Sequence, residues 1–277
     1  MPVSAMPVRL IACDMDGTLL NSRKEIHPDM TRLIHALHQK GIRFVAASGR
    51  QLESLTGYFA GVENEMTFLA ENGGAAYENG VCIDASLLGA EDILSITRFC
   101  REMPGVRILY STTRGSYIEG EEQAPWREYL AQFFEKIGFL PDLCALIGRE
   151  DICKITLCDR GRAKKNAWPR LNKALGDRFQ VTLSGEDWVD ITGRGVSKGQ
   201  TLRRLQQRYG ILPGECAAFG DYLNDVELLQ SCGESYAMKN AHPLLLKAAR
   251  HVTREDNDHW GAFDEICRLT GIDPASL

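Results

Sequence analysis

No apolar run in this 277-residue chain approaches the ~18 residues that a membrane-spanning helix needs, so a helical membrane protein is excluded. The opening stretch "MPVSAMPVRL" has neither a basic region nor an apolar one ahead of the first strand; no secretory signal is expected, and the cytoplasm is the expected location. No C-x-x-C occurs. The nine cysteines are odd in number, and most sit inside apolar runs, such as Cys13 in "LIACD", Cys82 in "VCID" and Cys158 in "ITLCD". That pattern fits free, mostly buried thiols better than disulfides or a metal cluster. The six histidines show no zinc spacing, and His35 and His38, on one helix face, read as a solvated or capping pair. There is no basic excess either: the formal net charge is −5 with scattered Lys and Arg, so nucleic acid is not an expected partner, nor is a membrane. Two nucleotide-binding signatures are missing. No G-x-G-x-x-G follows the first strand, and "GRGVSKGQT" places lysine before glycine, without the Gly-Lys-Ser/Thr ending of a phosphate loop.

What is present is a soluble composition, 44% hydrophobic and 25% charged, in a chain long enough for two domains or one with an insertion. Short apolar runs alternate with helical periodicity at both ends. "LIACD" reads as a buried strand, and "HPDMTRLIHALHQKG" carries Met30, Leu33, Ile34 and Leu37 on one stripe with Gly41 as its stop. "IRFVAASGR" is a second strand, Gln51 to about Ala60 a helix, and "MTFLAENGG" a third strand. Strand, helix, strand, helix, strand predicts a parallel α/β sheet. Around Asn79-Gly80 a hairpin is expected. From 84 to 190 the rhythm changes to helices at Ala90–Arg101, Pro125–Lys136 and Arg162–Ala174 among short strands, which predicts an inserted α+β domain with its own sheet. The first rhythm then returns. The expected organisation is therefore one domain from 1–83 and 191–277 and a second from 84–190.

In open α/β sheets, ligands bind beyond the carboxyl ends of the strands. There this chain places Asp14 and Asp16 after the first strand, Ser48, Gly49 and Arg50 after the second, Glu71 and Asn72 after the third, and Asp221, Asn224 and Asp225 after "CAAFG"; Lys198 opens a helix. Convergent carboxylates call for a hard cation, Mg²⁺ by donor type. A hydroxyl, a lysine and glycine-freed amides suit an anion with several oxygens, phosphate above all. Together they describe phosphoryl transfer. Arg50 and Asn72 read equally well as substrate contacts or as local hydrogen-bonding groups.

"DMDGT", "SGR", the lysine of "SKG" and "GDYLND" resemble, in order, the four motifs of the haloacid dehalogenase superfamily. The insertion between the second and third resembles the Cof-type phosphatases with a C2-type cap. The resemblance spans nearly the whole chain and implies a Rossmann-like parallel-sheet core with an inserted α+β cap. It implies Asp14 as the nucleophile that forms an aspartyl-phosphate, and Asp16 as the acid and base on the leaving oxygen and the water. For the second role Asp16 needs a pKa above that of an exposed aspartate, or a proton held locally. Met15 through its amide, Ser48, Gly49, Arg50, Lys198 and Asn224 are implied as phosphate and substrate contacts. Asp14, Asp16 through its carbonyl, Asp221 and Asp225 are implied around Mg²⁺, with Asp225 orienting Lys198 or the metal's waters. Tyr222 departs from the glycine common at that position, where it would either narrow the pocket rim or pack outside it. Lys239 and the pair His259-Trp260 depart too.

The function expected is a Mg²⁺-dependent phosphomonoester hydrolase for a small metabolite, such as a sugar phosphate, in a monomer or weak homodimer. A mutase or phosphotransferase with the same aspartate pair, or a phosphoacceptor regulatory module, are the alternatives. Trp126, Arg127, Tyr117 and Trp188 in the insertion read as either substrate contacts or packing.

Overall fold

Strand β1 (Leu10–Asp14) is buried along its whole length, and its apolar residues face packing on both sides, as a central parallel strand requires. The computed structural model describes residues 7–134 and 136–277, and contacts divide the chain into two units, Met1–Asp84 with Ser197–Leu277, and Ala85–Val196.

In the first unit β1 is followed by α1 (Met30–Gln39), β2 (Arg43–Ala47), α2 (Leu52–Thr56), β3 (Met66–Ala70) and the pair β4 (Ala75–Glu78) and β5 (Val81–Ala85). The helical stripe of α1 buries Met30, Leu33, Ile34 and Leu37. In the second unit come α3 (Ala90–Arg101), β6 (Arg107–Thr112), β7 (Gly115–Glu119), α4 (Ala124–Leu130), β8 (Gly138–Leu140), β9 (Ile152–Cys158), α5 (Ala167–Leu175), β10 (Phe179–Leu183) and β11 (Trp188–Gly193). The chain then returns to the first unit with α6 (Lys198–Tyr209), β12 (Cys216–Gly220), α7 (Val226–Gln230), β13 (Glu234–Ala237), α8 (Pro243–Ala248), β14 (His251–Val252) and α9 (Gly261–Thr270). Among the described residues no helix is long and apolar enough to cross a membrane. All nine cysteines are free, and all but Cys82 and Cys144 are buried.

The first unit holds an eight-stranded sheet in the order β14-β13-β12-β1-β2-β3-β4-β5, parallel from β14 to β3, with β4 antiparallel to β3. Strand order reverses at β1: the next strand in sequence lies on one side and β12 on the other. Such a reversal opens a crevice beyond the carboxyl ends.

The second unit holds a six-stranded sheet, β10-β11-β9-β6-β7-β8, antiparallel except for β7 with β8. Helices α3 and α5 cover one face through Ile93, Ile96, Cys100 and Leu171, packed on Tyr110, Ile155, Leu157 and Ile191. A second cluster gathers Leu109, Ile118, Leu130 and Trp188, with Trp126, Tyr129 and Phe134 against it. Trp188 is therefore a packing residue. Tyr117 is one too, since its ring lies where a Cβ on Gly138 would sit, 2.7 Å from Cδ1.

Two sequence expectations are corrected in this unit. The helix expected to reach Lys136 ends at Leu130, and β8 follows it; at three residues, β8 is too short to show a period of two. The helix expected from Arg162 starts at Ala167, because the residues before it form turns closed by the main-chain bonds Arg162 N to Asp159 O and Lys165 N to Arg162 O. By contacts the second unit runs on to Val196, with β11 paired with both β10 and β9. In the first unit the helix expected from Gln51 to Ala60 is α2 followed by one 3₁₀ turn, Gly57–Phe59.

Helix α6 is held against α7 at a glycine. A Cβ on Gly199 would lie 2.3 Å from the main chain of Glu227, so only glycine allows this approach. Gly199→Ala is expected to force the two helices apart and cost about 3 kcal/mol in chemical or thermal denaturation. Gly41→Ala, at φ 73° with nothing within 4 Å of the new Cβ, should cost only the left-handed strain, about 1 kcal/mol. Equal losses would overturn the close-packing account.

Candidate active site

Register places the site. Asp14, the last residue of β1, is paired with Ala47, so Ser48 lies just beyond the neighbouring strand end; on the other side Cys13 is paired with Phe219, which sets Asp221 at the same end. Lys198 is the first residue of α6, whose N-cap Ser197 accepts a bond from Gln200 N at 3.2 Å and donates its own hydroxyl proton to Glu227. Gly73, at φ 97°, lets the turn after β3 press on this helix start, since a Cβ there would lie 2.3 Å from Ser197 O, and Thr201 Oγ1 donates to Gly73 O at 2.7 Å.

Lys198 is 1% exposed, and its ammonium donates to Asp14 Oδ1 and, at 2.7 Å, to Asp225 Oδ1. Asp225, with no exposed surface, uses Oδ2 to accept the main-chain N–H groups of Asp221 (3.1 Å) and Tyr222 (3.2 Å). One oxygen each from Asp14, Asp221 and Asp225 lie within 4.8 Å of one another. Three carboxylates and one ammonium leave two negative charges, and the donors are hard oxygens; the set fits one divalent hard cation. Without such an ion Asp14 and Asp221 resist ionisation. Burial and the neighbouring Asp225 charge push Asp14 well up, against the opposing pull of Lys198, and burial with Asp225 pushes Asp221 up to about 6. Burial acts to lower the Lys198 pKa, but the two carboxylates outweigh it and the ammonium stays charged. Gly17, at φ 79°, has a second reason to be glycine: a Cβ there would lie 2.3 Å from Asp221 Oδ2.

Asp16 does not join this cluster through its side chain. Arg50 donates to it twice, Nε to Oδ2 at 2.8 Å and Nη2 to Oδ1 at 2.7 Å, and Lys24 Nζ donates to Oδ1 at 2.7 Å. Burial would raise its pKa, but these two cations outweigh burial and hold it below the usual carboxylate range. Of the two conditions named for an acid and base role at Asp16, a raised pKa is not met here, which leaves a proton held locally. The sequence shows only spacing, and the cations arrive from a loop and from the second strand end.

The remaining residues of interest gather at the same end of the sheet. Ser48 is 2% exposed; its N–H donates to Leu69 O, its carbonyl accepts from Asn72 N, and its Oγ accepts from Arg50 N at 3.1 Å. Gly49 lies under Asn72, whose Nδ2 would be 2.8 Å from an added Cβ, and Asn224 Nδ2 donates to Asn72 Oδ1 at 3.1 Å. Arg50 and Asn72 thus make local hydrogen bonds. Met15 is buried, and its carbonyl accepts from Leu20 N at 2.8 Å. Tyr222 points outward, 56% exposed, with its ring edge-on to His242 at 5.5 Å.

Three participants escaped sequence reasoning. Lys24 is one. Asn240 donates to Gly17 O at 2.9 Å, and Asn257, which donates to Asn240 Oδ1 at 3.1 Å through its main chain, donates to Leu20 O at 2.9 Å through its side chain. These two asparagines fasten the loop after β1 from the far end of the chain.

A family model described as haloacid dehalogenase-like hydrolase matches residues 11–266. The 5-amino-6-(5-phospho-D-ribitylamino)uracil phosphatase of Escherichia coli is 29% identical over 95% of this chain and 97% of its own length. An HMP-PP phosphatase of Cronobacter sakazakii is 25% identical over 88% of this chain and 89% of its own. The crystal structure of a Eubacterium rectale protein, 28% identical, superposes with a TM-score of 0.86 over 95% of this chain and 99% of that one.

The crowded carboxyls have a consequence for stability. A carboxyl whose pKa rises on folding favours the fold below its unfolded value, near 3.8, and that advantage is lost as pH climbs through its folded value, about 6 for Asp221. Asp221→Asn is therefore expected to stabilise the metal-free protein by roughly 1–3 kcal/mol near pH ~8, after allowance for partial solvent screening, and to change it little near pH ~4. Thermal melts in EDTA at the two pH values check this; a variant less stable than the parent at the higher pH would contradict it. Lys198→Met, which strands Asp14 and Asp225, should cost about 3–5 kcal/mol in the same buffer.

Proposed function

Because the chain belongs to the haloacid dehalogenase-like hydrolases, with the match running over residues 11–266, we propose that it is a Mg²⁺-dependent phosphatase that hydrolyses a small phosphorylated metabolite, in the sugar-phosphate class, through an aspartyl-phosphate on Asp14. The phosphatase names of the relatives from Escherichia coli and Cronobacter sakazakii support the reaction class and the small-metabolite scale. The observation that carries the reading is the buried Lys198 ammonium shared by Asp14 and Asp225 beside Asp221, with those carboxylate oxygens within 4.8 Å of one another.

In this reading Asp14 attacks phosphorus in line, and the bond to the leaving oxygen breaks as the bond to Asp14 forms. Asp16 protonates that oxygen and later removes a proton from the water that hydrolyses the acyl phosphate. To do so it exchanges its bonds with Arg50 and Lys24 for one to the leaving group. Ser48 and the amides of Met15 and Gly49 hold phosphate oxygens, with Asn224 at the edge, and Lys198 offsets the charge that spreads over the transferring group. Asp225 positions Lys198. Asp14, Asp221, Asp225 and the carbonyl of Asp16 would hold Mg²⁺. When bound, the ion supplies charge neutralisation between nucleophile and phosphate. The segment 84–190 is assigned the cap role and the flanking segments the core.

Phosphate release from a panel of sugar phosphates, flavin mononucleotide, pyridoxal phosphate and nucleotides, with and without Mg²⁺, tests the reading. Asp14→Asn should abolish turnover, by about 10³-fold or more, with the thermal melt retained. Asp16→Asn should slow substrates with poor leaving groups most. Full activity in excess EDTA, or in Asp14→Asn, would overturn the proposal.

A further inference from the structure

Outside the carboxylate cluster, the first unit contains a second built arrangement of charge, and an anion already sits in it. The Asp16 carboxylate lies between two cations: the Arg50 guanidinium grips it with Nε at 2.8 Å and Nη2 at 2.7 Å, and Lys24 Nζ closes from another side at 2.7 Å. Arg50 is steadied by Tyr58, whose hydroxyl accepts from Nη1 at 3.4 Å. Lys24 is fixed by its loop. Asn21 Oδ1 accepts from Arg23 N and Glu25 N, both at 2.9 Å, Asn21 N donates to Glu25 O, and Lys24 itself sits at φ 62°, in the left-handed region that lysine seldom takes. Among the described residues, Asp16 is the one carboxylate in contact with either cation. The cradle is open to solvent, with the side chains 57% exposed at Lys24, 30% at Arg50 and 38% at Asp16.

Two cations around one carboxylate leave a positive charge in excess, and the fork of Arg50 matches any planar or tetrahedral oxyanion as well as it matches Asp16. If Asp16 serves the leaving oxygen, as the phosphatase reading requires, it must quit this cradle, and both cations then face solvent unpaired. We infer that the Lys24–Arg50 cradle is a second anion subsite, occupied by Asp16 until a substrate brings its own carboxylate or second phosphate on the leaving-group side. Such a substrate displaces Asp16 and frees it for the reaction in the same step. A monoanionic analogue leaves Asp16 held. The inference rests on the phosphatase reading and names its substrate class: phosphomonoesters that carry a second anionic group.

The test compares matched pairs in Mg²⁺: glycerol phosphate against phosphoglycerate for a carboxylate, and a hexose monophosphate against a hexose bisphosphate for a second phosphate. p-Nitrophenyl phosphate, which has no second anion, serves as the reference. The parent protein should favour the doubly anionic member of at least one pair about tenfold or more in kcat/KM, the scale of one charge-assisted hydrogen bond. Lys24→Met should erase that preference, and Lys24→Arg should restore it. A parent with no preference in either pair would overturn the subsite, as would a Lys24→Met variant that slows every substrate by one common factor, which would make Lys24 a support for Asp16 only. No turnover of p-nitrophenyl phosphate or of any pair would instead overturn the phosphatase reading, and the subsite with it.

Discussion

A lysine with no route to water has to be neutralised where it lies. Lys198 meets that demand with Asp14 and Asp225, brought from 184 and 27 residues away in sequence. Burial of the ammonium is tolerable only because both carboxylates are present, and their own burial is tolerable only because of the ammonium. The start of α6 and the ends of β1 and β12 are thereby tied to one point. Glycines serve the same convergence: Gly73 and Gly199 let the start of α6 seat against the turn after β3 and against α7, and Gly17 gives Asp221 its place.

The charge balance around that point is incomplete by design of the chemistry. Two negative charges remain after Lys198 is counted, and Asp14 and Asp221 bear this as raised affinity for protons. A few ångströms of backbone away, Asp16 lives under the opposite influence, pulled down by two cations. One short segment, Asp14 to Asp16, thus presents two carboxyls in contrasting electrostatic settings, although side-chain type alone makes them identical. Without a bound cation that contrast runs opposite to the nucleophile and acid roles proposed for the pair, so a cation at the Asp14 cluster has to reverse one half of it.

Much of this was legible in the sequence, for definite reasons. Strands buried on both faces must be continuously apolar, so "LIACD", "RFVAA" and "CAAFG" are readable as strands, and the residues directly after them are readable as a group at one end of the sheet. Helix α3 announced both its ends. The second unit was harder, because a three-residue strand such as β8 carries no periodicity, and the turns before α5 contain residues that would also suit a helix. The least legible features were contacts between loops. Nothing in sequence places Lys24 on Asp16, and nothing places Asn240 and Asn257 on the loop after β1, because those partners meet only once the sheet has assembled. Asp16 is therefore read by its spacing alone, and the two cations that lower its pKa come from contacts that spacing does not show.

The strand order has one consequence for how the polypeptide is made. β1 is the central strand of the parallel sheet, yet one of its two neighbours, β12, is encoded some two hundred residues later. During synthesis the first half of the first unit emerges from the ribosome with a long apolar edge exposed, and that edge stays unpaired while the entire second unit is translated, on the order of ten seconds at about 5–20 residues per second. The second unit, contiguous in sequence, can complete its own sheet in that interval. The nascent chain therefore passes through a state with one finished module and one open, adhesive sheet, and its yield in the cell depends on whatever shields that edge until the last strands arrive.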